Sequence, residues 1–164
     1  FLKGKGILEG KGQVYVDASR SYGINVVYLM AHSLLETGNG TSKLANGLSY
    51  NGKTVYNVYG IGARDDNPNG LGAQKAYEYG WFDIDTAIKG GAKWIRDNYL
   101  NVGQNTLYEM RWNPQAMVSL GKADHQYATD IGWAYKQINR LYEIMNAVYQ
   151  TQRYRIYLEI PVYK

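Results

Sequence analysis

Along residues 26–37, VVYLMAHSLLET, apolar side chains recur every three or four positions. Val26, Val27, Met30 and Leu34, with Ala31 and Leu35, share one broad face, the pattern of a helix buried on one side. Asn25 stands where an N-cap is needed and Gly38 where a left-handed C-terminal stop belongs. The same spacing predicts a short helix over 13–22, closed by Gly23. It predicts others at about 73–79, at 84–99 with Ile84, Ala87, Ile88, Ala92 and Ile95 as the stripe, and near 106–111 with Thr106 as cap. The longest runs from about 126 to 149, its buried face marked by Ile131, Ala134, Ile138, Leu141, Ile144, Met145 and Val148. Residues 48–59, LSYNGKTVYNVY, have strand character instead, with Asn51-Gly52 as a two-residue hairpin turn. The stretch 60–72 reads as a glycine-rich loop, and the tail RYRIYLEIPVYK alternates like an edge strand. The pattern is a mainly helical domain with one small β excursion, without internal repeats.

At 164 residues this is one ordinary domain, 1–164, with its β-lobe at about 48–72 and a tail at 151–164. A start at Phe1, with neither methionine nor signal segment, points to a piece cut from a larger protein. Hydrophobic residues make up 45% and charged residues 20%, a globular balance, and no apolar run reaches the length of a membrane span. Zero cysteines exclude disulfides and thiolate metal sites without deciding the compartment. The net charge of +4 suits a polyanionic partner, but the absence of a dense Lys/Arg cluster argues against nucleic acid. There are 17 tyrosines and 4 tryptophans against 2 phenylalanines. Aromatics with a polar tip suit surfaces that are both apolar and wet, such as a sugar-binding groove.

Several motifs only look like chemistry. GLSYNGKT (47–54) matches the phosphate-loop formula, yet hydrophilic sequence precedes it and a β-like segment follows, where a buried strand and a helix are required. DDNPNG (65–70) opens like a calcium loop, but Ala76 occupies the position of the bidentate glutamate and Pro68 interrupts the middle. His32 and His125 cannot make a zinc site unaided, and His32, on the Glu36 face of its helix, is read as structural. No metal or cofactor is expected.

Glu36 is different. It follows Leu34-Leu35 at the C-terminal end of its helix, where unpaired carbonyls present about half a negative charge. That field, with burial, should raise its pKa and keep the acid protonated, as general-acid cleavage of a glycosidic bond requires. Residues alone leave a second reading open, an exposed carboxylate at a frayed helix end.

Six segments decide further: HSLLETGNGTSKLANG (32–47), NGKTVYNVYGIGARDDNPNG (51–70), AYEYGW (76–81), AIKGGAKWI (87–95), TLYEMRWNP (106–114) and HQYATDIGWA (125–134). Together they resemble the bacterial cell-wall N-acetylglucosaminidase domains, family 73 of the glycoside hydrolases. The resemblance implies a lysozyme-like α+β fold, with a helical lobe, a small β-hairpin lobe and a groove between them. It also implies an endo-β-N-acetylglucosaminidase that cuts peptidoglycan between N-acetylglucosamine and N-acetylmuramic acid, as an extracellular, wall-associated monomer. Its partners are glycan strands and anionic wall polymers. Glu36 becomes the general acid, and Asn57, Tyr59 and Tyr127 line the groove floor. Asp65 and Asp66 lie on a loop overhanging the groove, Asp65 as a second-carboxylate candidate. If the sugar's own acetamido oxygen attacks, Tyr127 orients it. Tyr59, Tyr77 and Trp112 are expected to stack on sugars, with Gln126 and Asp66 as polar contacts; Trp112 could equally be core. The chain departs from the family's pattern at 115–124, QAMVSLGKAD, where a short glycine/proline connection is expected. A lytic transglycosylase and a non-catalytic wall-binding module are the competing readings.

Overall fold

A computed structural model gives the fold and describes residues 1–64 and 66–149. Asp65 and the strand-like tail at 151–164 therefore lie outside the described residues. After a 3₁₀ turn at Gly6–Leu8 come α1 (Gly12–Tyr22) and α2 (Val26–Glu36). The hairpin β1 (Leu48–Tyr50) and β2 (Lys53–Val55) follows, then α3 (Pro68–Glu78) and α4 (Ile84–Asn98). The C-terminal part holds α5 (Leu107–Trp112), α6 (Pro114–Leu120) and α7 (Trp133–Tyr149). The architecture is mainly helical, as the spacing predicts, with α1 packed on α4, α2 on α7 and the hairpin beside α3.

Local chemistry sets the ends of α2. The Asn25 side chain accepts from Val27 N at 2.8 Å and Tyr28 N at 3.3 Å, satisfying the first orphan donors. At the other end, Asn39 N donates to Leu34 O and Gly38 N to Leu35 O, at 2.8 and 3.3 Å. Thr37 Oγ1 donates to Ser33 O at 2.6 Å. The final carbonyls are thus taken by the loop that follows, in the Schellman pattern. Between these caps Leu29 and Leu34 are fully enclosed, each contributing about 1.5–3 kcal/mol of burial. A buried 2.6 Å hydrogen bond between the Tyr15 and Ser33 hydroxyls ties α1 to α2. The Asn51-Gly52 turn forms as expected, both residues at positive φ, pairing Leu48 with Val55 and Tyr50 with Lys53.

Three boundaries differ from the sequence expectation. The helix α3 starts five residues before position 73, because Asn67 caps it through Gly70 N at 3.1 Å and Pro68 sits in its first turn. The stretch at 115–124 contains a helix, α6, capped by Asn113 and closed by Gly121. Most consequential, α7 begins at Trp133 rather than near 126. Residues 126–132 stay irregular because Arg111 gathers their polar groups: Nε donates to Asp130 O at 2.7 Å, Nη1 to Gln126 Oε1 and Nη2 to Thr129 O, each at 2.9 Å. The face of α7 also turns from the predicted stripe. Trp133, Gln137 and Ile144 are buried, whereas Ile131 and Ile138 are exposed.

Arg111 is buried and its guanidinium lies 4.0 Å from the Trp112 ring centre, a planar fork that an ammonium cannot copy. Arg111→Lys is expected to lower stability by about 2–4 kcal/mol through the unmatched acceptors. Thermal melting followed by circular dichroism should show a midpoint drop on the order of 10 °C.

Candidate active site

The helix α2 ends in the floor of a cleft of about 790 Å³, lined by Glu36 with Gly60, Arg64, Tyr127, Asp130, Trp133 and Lys136 among others. A larger apolar cleft, about 1140 Å³, lies among Val26, Leu107 and Val148; it contains neither Glu36 nor Tyr127, so size does not identify the site. The Glu36 side chain is 24% exposed. Its Oε1 accepts a 2.9 Å hydrogen bond from Trp133 Nε1, 97 residues away. His32 Nε2 lies 3.6 Å from the same oxygen. On the other side Oε2 lies against Gly60, whose φ is +66°; a Cβ there would come within 2.9 Å of Oε2.

The aromatic bed beneath the carboxylate is assembled from distant segments. Tyr127 stacks on Trp133 with centroids 5.0 Å apart, and meets His32 edge-on at 4.7 Å. Its hydroxyl donates to Tyr59 O at 3.0 Å, leaving the oxygen's lone pairs available as acceptors. Burial first, with the negative Glu36 nearby, pushes the Tyr127 pKa well above the usual tyrosine range, so this hydroxyl stays protonated. Asp130 is the other cleft carboxylate among the described residues. It binds Lys136 Nζ at 2.6 Å and Gly132 N at 2.9 Å, and these donors, Lys136 foremost, hold its pKa low.

The expected pKa rise at Glu36 is not found; the net direction is downward. Burial of the carboxyl raises its pKa, but the His32 ring and the Trp133 N–H, both favouring the ion, outweigh it. The carbonyls of Ser33, Leu34 and Leu35 are hydrogen-bonded by the loop that follows, which weakens the helix-end field.

Of the residues singled out in the sequence, Glu36, Tyr127 and Gln126 share this cleft. Gln126 braces the wall, accepting from Arg111 and donating to Trp112 O at 2.9 Å. Asn57 does not line the groove floor. It is buried and its amide ties the loop, donating to Ile61 O at 2.8 Å and Gly72 O at 3.2 Å, and accepting from Tyr59 N and Ile61 N. Tyr59 is fully enclosed against His32 and offers no face to a sugar. Trp112 is absent from the cleft lining and lies under Arg111. Tyr77 belongs to a separate aromatic cluster, 5.6 Å from Tyr50 and 5.8 Å from Phe82. Asp66 is exposed and is not part of the cleft lining. The reading missed Trp133 and Asp130, although both stand in the HQYATDIGWA segment, and it took His32 as merely structural.

Comparison with known proteins settles the family. The family model described as mannosyl-glycoprotein endo-beta-N-acetylglucosaminidase matches residues 12–147. The chain belongs to this glucosaminidase family of glycoside hydrolases. It is 54% identical over 166 residues to the beta-N-acetylglucosaminidase of Bacillus subtilis strain 168, across 99% of this chain and 18% of that one. The glucosaminidase domain thus spans under a fifth of that relative's length. Among solved structures, Staphylococcus aureus Autolysin E superposes with a TM-score of 0.77 at 44% identity, covering 89% of this chain and 63% of that one. A catalytic mutant of Autolysin E, a glutamate changed to alanine, in complex with the disaccharide NAG-NAM, gives 0.77 at 43%, covering 89% and 64%. The helical fold with its small two-stranded sheet is that of the autolysin glucosaminidases.

Gly60 offers a test of the site's tolerance. An alanine there meets both an unfavourable positive φ and the Glu36 carboxylate. Gly60→Ala is expected to cost about 1–2 kcal/mol of stability. By pushing the carboxylate aside, it should lower turnover on purified walls by on the order of a hundredfold. Equal losses in binding and turnover would not fit this picture.

Proposed function

We propose that the domain is a peptidoglycan hydrolase that cuts the β-1,4 bond between N-acetylglucosamine and N-acetylmuramic acid, with Glu36 as general acid. The observation that carries the reading is the Glu36 side chain itself, clasped on one oxygen by Trp133 and lining a cleft it shares with Tyr127. A relative with a glutamate-to-alanine catalytic mutation and NAG-NAM bound supports it. The site of action is the bacterial wall, reached from outside, where the basic balance of the chain favours anionic wall polymers.

In this mechanism Glu36 donates its proton to the glycosidic oxygen as the bond to the anomeric carbon breaks. The developing positive charge is met by the acetamido oxygen of the same sugar, forming a cyclic intermediate that water opens. Asp130 is held by Lys136 and Gly132, which makes it a poor nucleophile. Tyr127 supports substrate assistance instead: it donates to Tyr59 O and accepts the acetamido N–H, turning the acetamido oxygen toward the anomeric carbon. Asp65 stays a candidate for a second carboxylate, and Asp66 for a polar contact further along the groove.

The downward pKa of Glu36 means that the protein groups around it favour the ion, so the bound glycan must shift the balance toward the acid. A bound sugar covers the exposed quarter of the side chain and strengthens desolvation, which raises the pKa. Activity is lost as pH rises and Glu36 ionises. The alkaline limb of kcat, which reports the complex, is therefore expected at higher pH than that of kcat/KM, which reports the free enzyme. Coincident limbs would count against it.

Digestion of purified walls with mass spectrometry of the fragments tests the whole reading. New reducing ends on N-acetylglucosamine are expected; reducing muramic acid or anhydro-muramyl ends would overturn it. Glu36→Gln should lower the rate on the order of a thousandfold or more, with folding and glycan binding intact. Tyr127→Phe should cost roughly 10–100-fold through the lost orienting hydrogen bond.

A further inference from the structure

His32 is wholly buried and enclosed by Tyr28, Tyr59, Tyr127 and Trp133, with ring centroids between 4.7 and 5.4 Å away. Its Nδ1 lies 2.8 Å from the Tyr28 hydroxyl. Its Nε2 is buried with no hydrogen-bond partner among the described residues, and Glu36 Oε1 lies 3.6 Å from it. A buried ring nitrogen without a partner calls for an explanation. Catalytic hydrogen bonds often shorten when substrate binds, and 3.6 Å is just beyond hydrogen-bond reach.

The tautomer follows from Tyr28. Its single hydroxyl proton can go to His32 Nδ1 at 2.8 Å or to Met110 Sδ at 3.3 Å. A ring nitrogen is a far stronger acceptor than a thioether, so Nδ1 accepts and the ring proton sits on Nε2, aimed at Oε1. That oxygen already accepts from Trp133. Oε1 thus faces two N–H donors, whereas Oε2 lies against the bare Cα of Gly60 at the cleft.

We infer that His32 is a positioning residue that, together with Trp133, reserves Oε1 as an acceptor and so directs the transferable proton of Glu36 to Oε2. This rests on the reading of Glu36 as the acid. The chain of command is Tyr28 O–H to His32 Nδ1, then His32 Nε2–H to Oε1, leaving Oε2 to present the proton to the glycosidic oxygen. The charged or titratable groups around this pair are Tyr28 on α2, Tyr59 from the loop after the hairpin, Tyr127 and Asp130 from the loop before α7, Lys136 on α7, and Arg64 at the cleft rim. Both donors stabilise the ionised carboxylate, so losing one should raise the pKa of Glu36, not lower it.

Because the chain has two histidines, nitrogen-15 labelling resolves the tautomer directly in the wild-type domain. Near neutral pH the His32 ring should show a protonated Nε2 and an accepting Nδ1; a bare Nε2 with protonated Nδ1 would overturn the inference. His32→Phe keeps the ring and deletes both nitrogens, and His32→Gln returns an N–H near the Nε2 position. In carboxyl carbon-13 titration, His32→Phe should move the Glu36 pKa upward by about one unit, with His32→Gln close to wild type. The alkaline limb of kcat/KM should move with it, and kcat should fall roughly tenfold. A Glu36 titration identical in wild type and a folded His32→Phe would also overturn it. Should the Phe variant not fold, the labelled wild type and the Gln variant still decide. The two readings fail separately: an active Glu36→Gln would remove the acid assignment while the tautomer and the titration shift could still hold.

Discussion

The Trp133 N–H to Glu36 hydrogen bond is the interaction on which the site depends. It joins the last residue of α2 to the first residue of α7, and it is useful only if both helix ends stand where they do. The Asn25 cap and the Schellman closure fix α2 lengthwise, so the carboxylate cannot slide out of register with the cleft. At the other end, Asp130 accepts from Gly132 N through its side chain and from Trp133 N through its backbone, which sets where α7 starts. Packing of α2 on α7 then holds the two together. A hydrogen bond to a charged group contributes about 1.5–3 kcal/mol, too little to organise two helices, so here packing positions the bond.

The loop between α6 and α7 shows why some of the fold was legible and some not. The helix α2, the Asn-Gly hairpin, α4 and the Thr106 cap of α5 are local events, written in neighbouring residues, and the structure has them where the spacing puts them. The start of α7 is not local. Tyr127, Ala128 and Ile131 continue a helical spacing, so periodicity carries the helix back to 126. Arg111 overrides this by drawing Gln126, Thr129 and Asp130 onto one guanidinium, and Gln104 adds a second clasp by donating to His125 O at 3.0 Å. No window of sequence contains that competition. The buried Gln137 is hidden for a similar reason: a polar residue at helical spacing looks like surface until the packing face is known.

Within the site, legibility follows the same line. Glu36 stood out because its position at a helix end is chemically odd. Tyr127 and Gln126 entered through the family resemblance and do line the cleft. Asn57 and Tyr59 entered the same way but turn inward, since an asparagine with four backbone hydrogen bonds and a tyrosine packed on His32 build the wall's foundation rather than its face. Their role is indirect, with Tyr59 O receiving the Tyr127 hydroxyl. Trp133 escaped notice because tryptophan inside a helix is ordinarily core, and it is indeed buried; what matters is where its one polar atom ends.

The electrostatics of Glu36 turn on a contest between fields of different range. A helix terminus acts through unpaired carbonyls, and its influence fades once these are hydrogen-bonded. In this chain the loop after α2 supplies that pairing within five residues, through Thr37, Gly38 and Asn39. What remains is short-ranged: burial, which opposes the ion, and the His32 ring and the Trp133 N–H, which favour it. Such terms respond to what fills the cleft. In the proposed mechanism, donors that stabilise the ion also serve after the proton has left, when Glu36 would accept one from the incoming water. An acid held permanently protonated would do the first step well and the second badly. In the proposed mechanism, a carboxyl that its protein neighbours favour as an ion, and that the glycan's desolvation pushes toward the acid, does both.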